Sequence, residues 1–345
     1  MITAQDLLRS PATDPTSIYR YRDGLYAADL LTSALCHLDF FTWLNAHPAD
    51  KGVICQSLAL QERPVDVMLT LFTAMDLLRK DGDIFVLTEM AKEHLVSCSP
   101  WCIGPYFASV KDRPVCLDMV EVLRTGKPAR WASLRSEQEW AKAMENPAFA
   151  SQFTAAMDCR GVYLAPAVAQ RLDCAAYHHL LDVAGGSGIY ACAIVARHPH
   201  LRATVLEKGP VDRLALEAIS ERGLAGRVSV AKGDMFREPF PTECDIHLFS
   251  NVLHEWDAPT VQELLAKSFA SLTPGGMIVV HDAHINASKT GPLAVAAYSA
   301  LLMTITEGKC YSEQEMNDFL RQAGFSDVRY AATAADRSII TAKKP

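Results

Sequence analysis

The stretch Leu181-Asp182-Val183-Ala184-Gly185-Gly186-Ser187-Gly188 decides the fold of the C-terminal half of this chain. Its apolar beginning is typical of a buried strand, and the glycines that follow allow the backbone to turn sharply into a helix. Small residues at such a turn let a ligand approach the backbone and the helix N-terminus. The pattern alone is not specific, because Gly186, Gly188 and Ala191 also fit the dinucleotide-binding fingerprint.

After His178, apolar β-prone runs alternate with helical segments, a pattern typical of a doubly wound α/β domain. We predict strands at 179–185, 202–208, 228–234, 245–253 and 276–285, and a closing pair at 328–333 and 338–342. The last two strands are joined by a segment too short for a helix. They should therefore form an antiparallel hairpin at the edge of the sheet.

The N-terminal half has mainly helical periodicity. One apolar stripe runs from Tyr26 to Phe41, and a second follows Pro64 and extends towards the turn at 81–83. A short strand at 84–87 and an N-cap at Thr88 complete a pattern of helix, strand and helix that predicts a winged-helix-like unit. We interpret this unit as a dimerisation module rather than a DNA-binding one, because its helices have few basic residues.

These patterns divide the chain into three parts. Residues 1–105 are the predicted helical, winged-helix-like dimerisation domain, and 178–345 the Rossmann-like domain. Residues 106–177 are the predicted connecting region that contributes to the substrate pocket. In it, the pattern is irregular up to Asn146 and helical from 147 to 172.

The composition is that of an ordinary globular protein, with 345 residues, 21% of them charged, and a net charge of -7. This acidic balance argues against nucleic acid as a partner and favours a small molecule. The N-terminus lacks the apolar core of a secretory signal, and no apolar run is long enough to cross a membrane. Ten cysteines without a repeating spacing indicate free thiols, so we expect a cytoplasmic protein.

Three later motifs identify a family. Lys232-Gly233-Asp234-Met235-Phe236 ends the third strand, Phe249-Ser250-Asn251-Val252-Leu253-His254-Glu255-Trp256 ends the fourth, and Leu272-Thr273-Pro274-Gly275-Gly276 precedes the fifth. In this order they resemble the class I methyltransferases of the caffeate, hydroxyindole and bacterial polyketide O-methyltransferase group. The resemblance extends over nearly the whole chain. It implies a seven-stranded Rossmann-like domain, an N-terminal helical domain that forms a homodimer, and S-adenosylmethionine as cofactor.

The resemblance also implies a set of cofactor-binding residues. They are Gly185, Gly186 and Gly188 at the methionine and sulfonium, Glu207 at the ribose, Asp234 and Met235 beside the adenine, and Ser250. One departure is Ala184, which replaces the first glycine of the family pattern. Because one added methyl group is small, we expect local adjustment rather than loss of binding.

His254 is the candidate general base. A phenol has a pKa of about 10, so its oxygen must lose a proton as it attacks the methyl group, and an imidazole with a pKa of about 6.5 suits that task. By resemblance, Asp282 orients this base. The family's second acidic residue is absent, since Cys310 stands in its place, and Glu307 is the candidate substitute. The leading hypothesis is methylation of a phenolic hydroxyl of a small aromatic molecule without a metal. Phe153, Met157 and Met303 are candidate substrate contacts.

Three alternatives remain open. The imidazoles of His281 and His284 near Asp282 could help to bind a divalent metal for C-methylation of a 2-oxo acid or an enol. However, His281 and Asp282 should point to opposite faces of their strand. The same scaffold could also perform non-methylating chemistry, or sense the cofactor as a regulator.

Overall fold

The computed structural model describes residues 2–129 and 142–345. Residues 130–141, part of the predicted connecting region 106–177, lie outside the described residues. The described chain forms two compact units. The α/β unit contains the N-terminus up to Ser17, residues 142–284 and Glu313–Pro345, and the helical unit contains 18–129 and Ile285–Ser312. These units differ from the three-part division above, because 147–171 belong with the sheet and 285–312 with the N-terminal helices.

The elements follow one another in an order that changes from helical to alternating. The α-helices are α1 (Thr16–Asp23), α2 (Ala27–Cys36), α3 (Phe40–Ala46), α4 (Lys51–Leu58), α5 (Glu62–Ala74), α6 (Glu89–Leu95), α7 (Gly104–Ala108), α8 (Pro114–Thr125), α9 (Pro147–Arg171), α10 (Ile189–Arg197), α11 (Val211–Glu221), α12 (Ala258–Ser271), α13 (Leu293–Ile305) and α14 (Glu313–Gln322). The strands are β1 (Leu78–Asp81), β2 (Ile84–Leu87), β3 (His179–Val183), β4 (Arg202–Glu207), β5 (Val228–Lys232), β6 (Ile246–Ser250), β7 (Met277–Asp282), β8 (Ser326–Ala332) and β9 (Ser338–Lys343).

The α/β unit contains a seven-stranded sheet in the order β5-β4-β3-β6-β7-β9-β8. Strands β3 to β7 pair in parallel, whereas β9 is antiparallel to both β7 and β8. The predicted seven-stranded α/β fold and its antiparallel closing hairpin are therefore confirmed. The order reverses between β3 and β6, so the carboxyl ends of these strands form the crevice in which α/β proteins bind ligands.

Burial explains why the central strands are read correctly from sequence. All six residues of β7 are buried, and most residues of β3, β4 and β6 are buried as well, because helices cover both faces of a parallel sheet. The edge strand β8 instead has mostly exposed side chains. Each side chain that follows a central strand is thus held at the sheet's carboxyl edge by a rigid, buried element.

The helical unit departs from the sequence prediction in three places. The stripe from Tyr26 to Phe41 is divided between α2 and α3, because Asp39 has a φ of 49° that no helix interior allows. Helix α5 ends at Ala74 instead of near residue 81, and Leu78–Asp81 pairs with Ile84–Leu87 as a hairpin. Helix α8 lies in the segment read as irregular, where Cys116, Met119 and Leu123 are buried at helical spacing.

Other local predictions agree with the structure. The Thr88 hydroxyl accepts a hydrogen bond from Ala91 N at 3.3 Å, as expected of an N-cap. The predicted helix at 147–172 is α9, which begins after the N-cap residue Asn146. None of the helices in the described ranges is both long and apolar enough to span a bilayer.

Candidate cofactor and catalytic site

The loop after β3 forms a cradle of backbone groups. Gly186 and Gly188 have φ of 59° and 72°, in the left-handed region that favours glycine. A Cβ at Gly185 would lie 2.5 Å from the Asp182 carboxyl carbon, whereas one at Gly186 would meet nothing within 4 Å. Ala184 adopts a φ of 53° in place of the family's glycine, so the backbone keeps the turn in spite of the added methyl. The loop therefore has room for a ligand over Gly186.

Glu207 ends β4 beside this loop. Its two carboxylate oxygens accept hydrogen bonds from Gly186 N at 2.8 Å and Lys208 N at 3.0 Å. Desolvation raises the pKa of Glu207 to about 7, although these hydrogen bonds favour the ionised form. The neighbouring Asp182 is fully buried, and burial raises its pKa to about 7 as well. A carboxylate in this position can accept hydrogen bonds from ribose hydroxyls, which fits the predicted cofactor.

Asp234 and Met235 follow β5 and are fixed by lysines. Lys208 Nζ lies 2.9 Å from Asp234 Oδ2, and Phe236 N donates to Asp234 Oδ1 at 2.8 Å. Desolvation opposes ionisation of Asp234, but the hydrogen bond and charge of Lys208 lower its pKa. Met235 O accepts a hydrogen bond from Lys267 Nζ at 2.6 Å. The Asp234 carboxylate therefore remains ionised and can accept hydrogen bonds.

Ser250, at the end of β6, belongs to a buried polar network. Its Oγ lies 2.8 Å from His281 Nδ1 and accepts from Asn251 Nδ2 at 3.2 Å. Asn251 Nδ2 also donates to Tyr190 Oη at 3.2 Å, and Asn251 has a φ of 56°. Burial lowers the pKa of His281 to about 3, so this imidazole is neutral. The network fixes the carboxyl end of β6 next to the glycine loop.

His254 and Asp282 form a buried pair at the carboxyl ends of adjacent strands. His254 lies in a 3-10 turn after β6, Asp282 is the last residue of β7, and each is 4% exposed. His254 Nδ1 lies 2.5 Å from Asp282 Oδ1. Desolvation opposes ionisation of Asp282, but the His254 imidazole lowers its pKa to about 2. An ionised carboxylate can only accept, so His254 Nδ1 is the donor in this contact.

The two other imidazoles on this strand end are bonded elsewhere. His284 Nδ1 lies 2.7 Å from Ser338 Oγ, and burial lowers the pKa of His284 to about 4. His281 contacts Ser250, on the face of β7 opposite to Asp282, as the alternation of the strand predicts. Within the described ranges, no group of three or more His, Cys, Asp or Glu side chains is arranged to hold a metal ion.

The remaining predicted residues lie in both units. In the helical unit, the Glu307 carboxylate is 4.0 Å from Lys127 Nζ, and Cys310 is buried with its backbone N donating to Ser299 Oγ at 3.1 Å. Met303, on α13, is fully buried. In the α/β unit, Phe153 and Met157 are half-buried on α9.

Sequence reasoning missed Lys208, Tyr190 and Asn251. Lys208 follows Glu207 at a strand end, a position that marks ligand sites, so its place in the chain offered a signal. Asn251 also offered one, because asparagine tolerates the left-handed conformation better than most residues. Tyr190 offered none, since an aromatic residue on a predicted helix is ordinarily a core residue.

Comparison with known proteins gives a consistent result. Residues 118–326 match the O-methyltransferase domain family. The chain is 30% identical to the 3-hydroxy-5-methyl-1-naphthoate 3-O-methyltransferase of Streptomyces sahachiroi over 317 residues, covering 91% of this chain and 90% of that protein. It is 35% identical to the aclacinomycin 10-hydroxylase RdmB of Streptomyces purpurascens over 213 residues, covering 60% of this chain and 55% of that protein.

A solved structure agrees over the whole chain. The O-methyltransferase family 2 protein from Planctomyces limnophilus DSM 3776, crystallised in complex with apigenin, superposes with a TM-score of 0.91 at 33% identity, and the match covers 100% of both chains. The glycine cradle, the acidic strand ends and these similarities lead to one assignment. The chain belongs to the O-methyltransferase family and is an S-adenosylmethionine-dependent methyltransferase.

Proposed function

We propose that the enzyme methylates a phenolic hydroxyl of a small aromatic molecule, with His254 as the general base. The observation that carries this proposal is the buried contact between His254 Nδ1 and Asp282 Oδ1 at 2.5 Å. It holds the tautomer in which Nε2 can accept a proton. The ionised Asp282 stabilises the imidazolium that forms when the acceptor oxygen is deprotonated.

The protein's other tasks are to bind the cofactor and to orient its methyl group towards the acceptor. Bound S-adenosylmethionine supplies an electrophilic methyl group on a sulfonium. We propose that the loop residues Gly185, Gly186 and Gly188 contact its methionine part, Glu207 its ribose, Asp234 and Met235 its adenine, and Ser250 a further polar group. Burial of the His254 and Asp282 pair keeps water away from the proton transfer.

Replacement of His254 tests the base. His254→Ala should lower turnover by about 10²- to 10⁴-fold, because deprotonation belongs to the transition state, and should leave cofactor affinity within about twofold. Asp282→Asn should also lower turnover, since an amide does not stabilise the imidazolium. The control is His247→Ala, which removes another buried imidazole, bonded to Ser268 Oγ at 2.9 Å. Wild-type turnover of His254→Ala, with chemistry rate-limiting, would contradict the proposal.

The acceptor class is supported by the similar proteins. One relative is named for a hydroxynaphthoate, and a similar structure is in complex with apigenin, a polyphenol. We propose Phe153, Met157 and Met303 as acceptor contacts. A screen of hydroxynaphthoates and flavones with the wild-type enzyme should give a product that is heavier by one methylene and has one phenolic hydroxyl fewer than the acceptor.

Two alternatives would give different products. A metal-assisted C-methyltransferase acting on a 2-oxo acid or an enol should lose activity after dialysis against a chelator and regain it with a divalent ion. The relative named as a hydroxylase favours testing for non-methylating chemistry as well. A product without the added methylene would identify that case.

Glu307 is the candidate for the family's second acidic residue, whose position is occupied here by Cys310. We propose that Glu307 supplies the carboxylate that relatives carry at the position of Cys310. Its support is its closeness in sequence to Cys310 and its partly exposed side chain. If so, Glu307→Gln should lower turnover, and Cys310→Glu in that background should recover part of it.

We also propose that the enzyme is a cytoplasmic homodimer. The helical unit exposes large apolar side chains that an isolated chain would leave in water: Ile18 at 69%, Tyr21 at 85%, Leu25 at 61%, Trp101 at 65% and Tyr106 at 80%. Sedimentation should give the mass of two chains. A monomer at micromolar concentration would contradict the proposal.

A further inference from the structure

A buried ionic cluster lies behind the glycine loop. Arg222, just after α11, pairs with the Oδ1 atom of Asp158 on α9, and the Ser187 hydroxyl donates to the same Oδ1. Arg222 Nη1 also donates to Ser187 O at 3.0 Å. Three segments that are distant in the chain therefore meet at one loop residue.

The side chains of this cluster are largely buried, unlike those of a surface ion pair. The Arg222 side chain is 5% exposed, the Asp158 side chain 26%, and Ser187 as a whole 5%. A guanidinium is planar and presents its donors in a fixed fork, so Arg222 can hold the Asp158 carboxylate and the Ser187 carbonyl at once. At this burial, ion pairs are poorly screened by water, and loss of one partner leaves an uncompensated charge.

Ser187 is held from two sides. Its carbonyl accepts from Arg222, and its hydroxyl donates to Asp158. The flanking Gly186 and Gly188 both have positive φ, and glycine has more conformational freedom to lose there than any other residue. Contacts outside the loop must therefore restrict it to a single conformation.

Resting on the cofactor contacts proposed above for Gly185, Gly186 and Gly188, we propose that Asp158 and Arg222 are positioning residues for the cofactor, which act by fixing the Ser187 backbone and thereby preforming the glycine cradle. They need not touch the cofactor themselves. If the loop is already ordered, cofactor binding loses less free energy in ordering it. Removal of Asp158 or Arg222 should therefore weaken cofactor binding by more than the loss of protein stability explains.

The test is calorimetric titration of the full-length enzyme with S-adenosylhomocysteine. Arg222→Met should weaken binding by roughly 10- to 100-fold, because a displaced loop no longer holds the open space over Gly186 in the conformation that the cofactor fits. Arg222→Lys keeps the charge but loses the planar fork whose two nitrogens contact the two partners, so its affinity should lie between those of Arg222→Met and the wild type. In steady-state kinetics, the KM for the cofactor should rise more than kcat falls.

Arg227 provides a matched control in the same unit. Its Nη1 donates to Val195 O at 2.7 Å and to Pro199 O at 3.1 Å, away from the loop. Arg227→Met should lower the melting temperature but leave affinity for S-adenosylhomocysteine within about twofold, since only local packing is lost.

Ser187→Ala and Asp158→Asn decide the matter if Arg222→Met does not fold. Each removes one arm of the cluster, so each should weaken S-adenosylhomocysteine binding, and combining the two should be less than additive. The proposal is overturned if the folded variants of the cluster bind with wild-type affinity. It is equally overturned if Arg227→Met weakens binding as much as Arg222→Met.

Discussion

At the scale of single residues, the burial of Glu207 makes the stability of the folded protein depend on pH. Its folded pKa of about 7 exceeds the ordinary value of 4.5. A raised carboxyl pKa means that the folded state holds a proton that the unfolded state has lost. The stabilising contribution of Glu207 is therefore fully present below pH 4.5 and is lost as the pH rises through about 7.

Glu207→Gln should remove this dependence. The difference in free energy of unfolding between the cofactor-free wild type and this variant should shift in favour of the variant as the pH rises through that window. Denaturant titrations at several pH values measure it, and both proteins retain Asp182 and the buried histidines, so those contributions cancel. Parallel stability curves for the two proteins would show that Glu207 ionises normally. The variant should also bind S-adenosylhomocysteine more weakly, since an amide is a poorer acceptor for ribose hydroxyls.

At the scale of elements, α9 and α10 pack closely at a glycine. Gly161 is buried in α9, and a Cβ there would lie 2.4 Å from Ile189 Cγ2 on α10. This close contact favours glycine at position 161, although helix propensity by itself favours alanine over glycine by about 1 kcal/mol.

Gly161→Ala should lower the free energy of unfolding by about 1 to 3 kcal/mol through overpacking. Ile189→Ala in the same background should recover part of the loss, because it removes the side chain that clashes. Gly226→Ala is the control, since a Cβ there meets nothing within 4 Å and its φ is not positive. Denaturant unfolding of the wild type and of these three variants measures the effects. A stabilised Gly161→Ala would mean that the two helices can separate at little cost.

At the scale of the whole molecule, the chain leaves the α/β unit after His284 and returns at Glu313. The intervening segment joins the helical unit partly through charge. Asp66 on α5 lies 2.8 Å from Lys289 Nζ and 2.5 Å from Lys309 Nζ. Desolvation opposes ionisation of Asp66, but the two ammonium groups lower its pKa.

Asp66→Ala should destabilise the protein by about 3 to 5 kcal/mol, because it leaves two ammonium groups largely buried without their carboxylate. Adding Lys309→Met, which removes the more buried of the two charges, should restore part of that stability. Thermal unfolding measures both changes. Equal melting temperatures for the single and double variants would show that Lys309 finds another acceptor at no cost.

Local pattern explains what could be predicted from the sequence. Buried strands such as β7 begin with a continuous apolar run, and Gly185 to Gly188 mark the turn after β3, so the fold and the cofactor loop followed from neighbouring residues. The break between α2 and α3 at Asp39 did not, because an apolar stripe is compatible with one helix or with two.

The sequence by itself determined the succession of seven strands along the C-terminal half of the chain, the cofactor loop and the position of His254 after a strand end. Periodicity and turn chemistry act over a few residues, so neighbouring residues suffice for these features. Only the tertiary structure decided that His254 meets Asp282, that His281 turns to Ser250, and that Arg222 holds Ser187 together with Asp158. Arg222 and Asp158 are 64 positions apart, and Arg222 and Ser187 are 35 apart. Contacts over such separations depend on how helices pack on the sheet, and no local pattern encodes that packing.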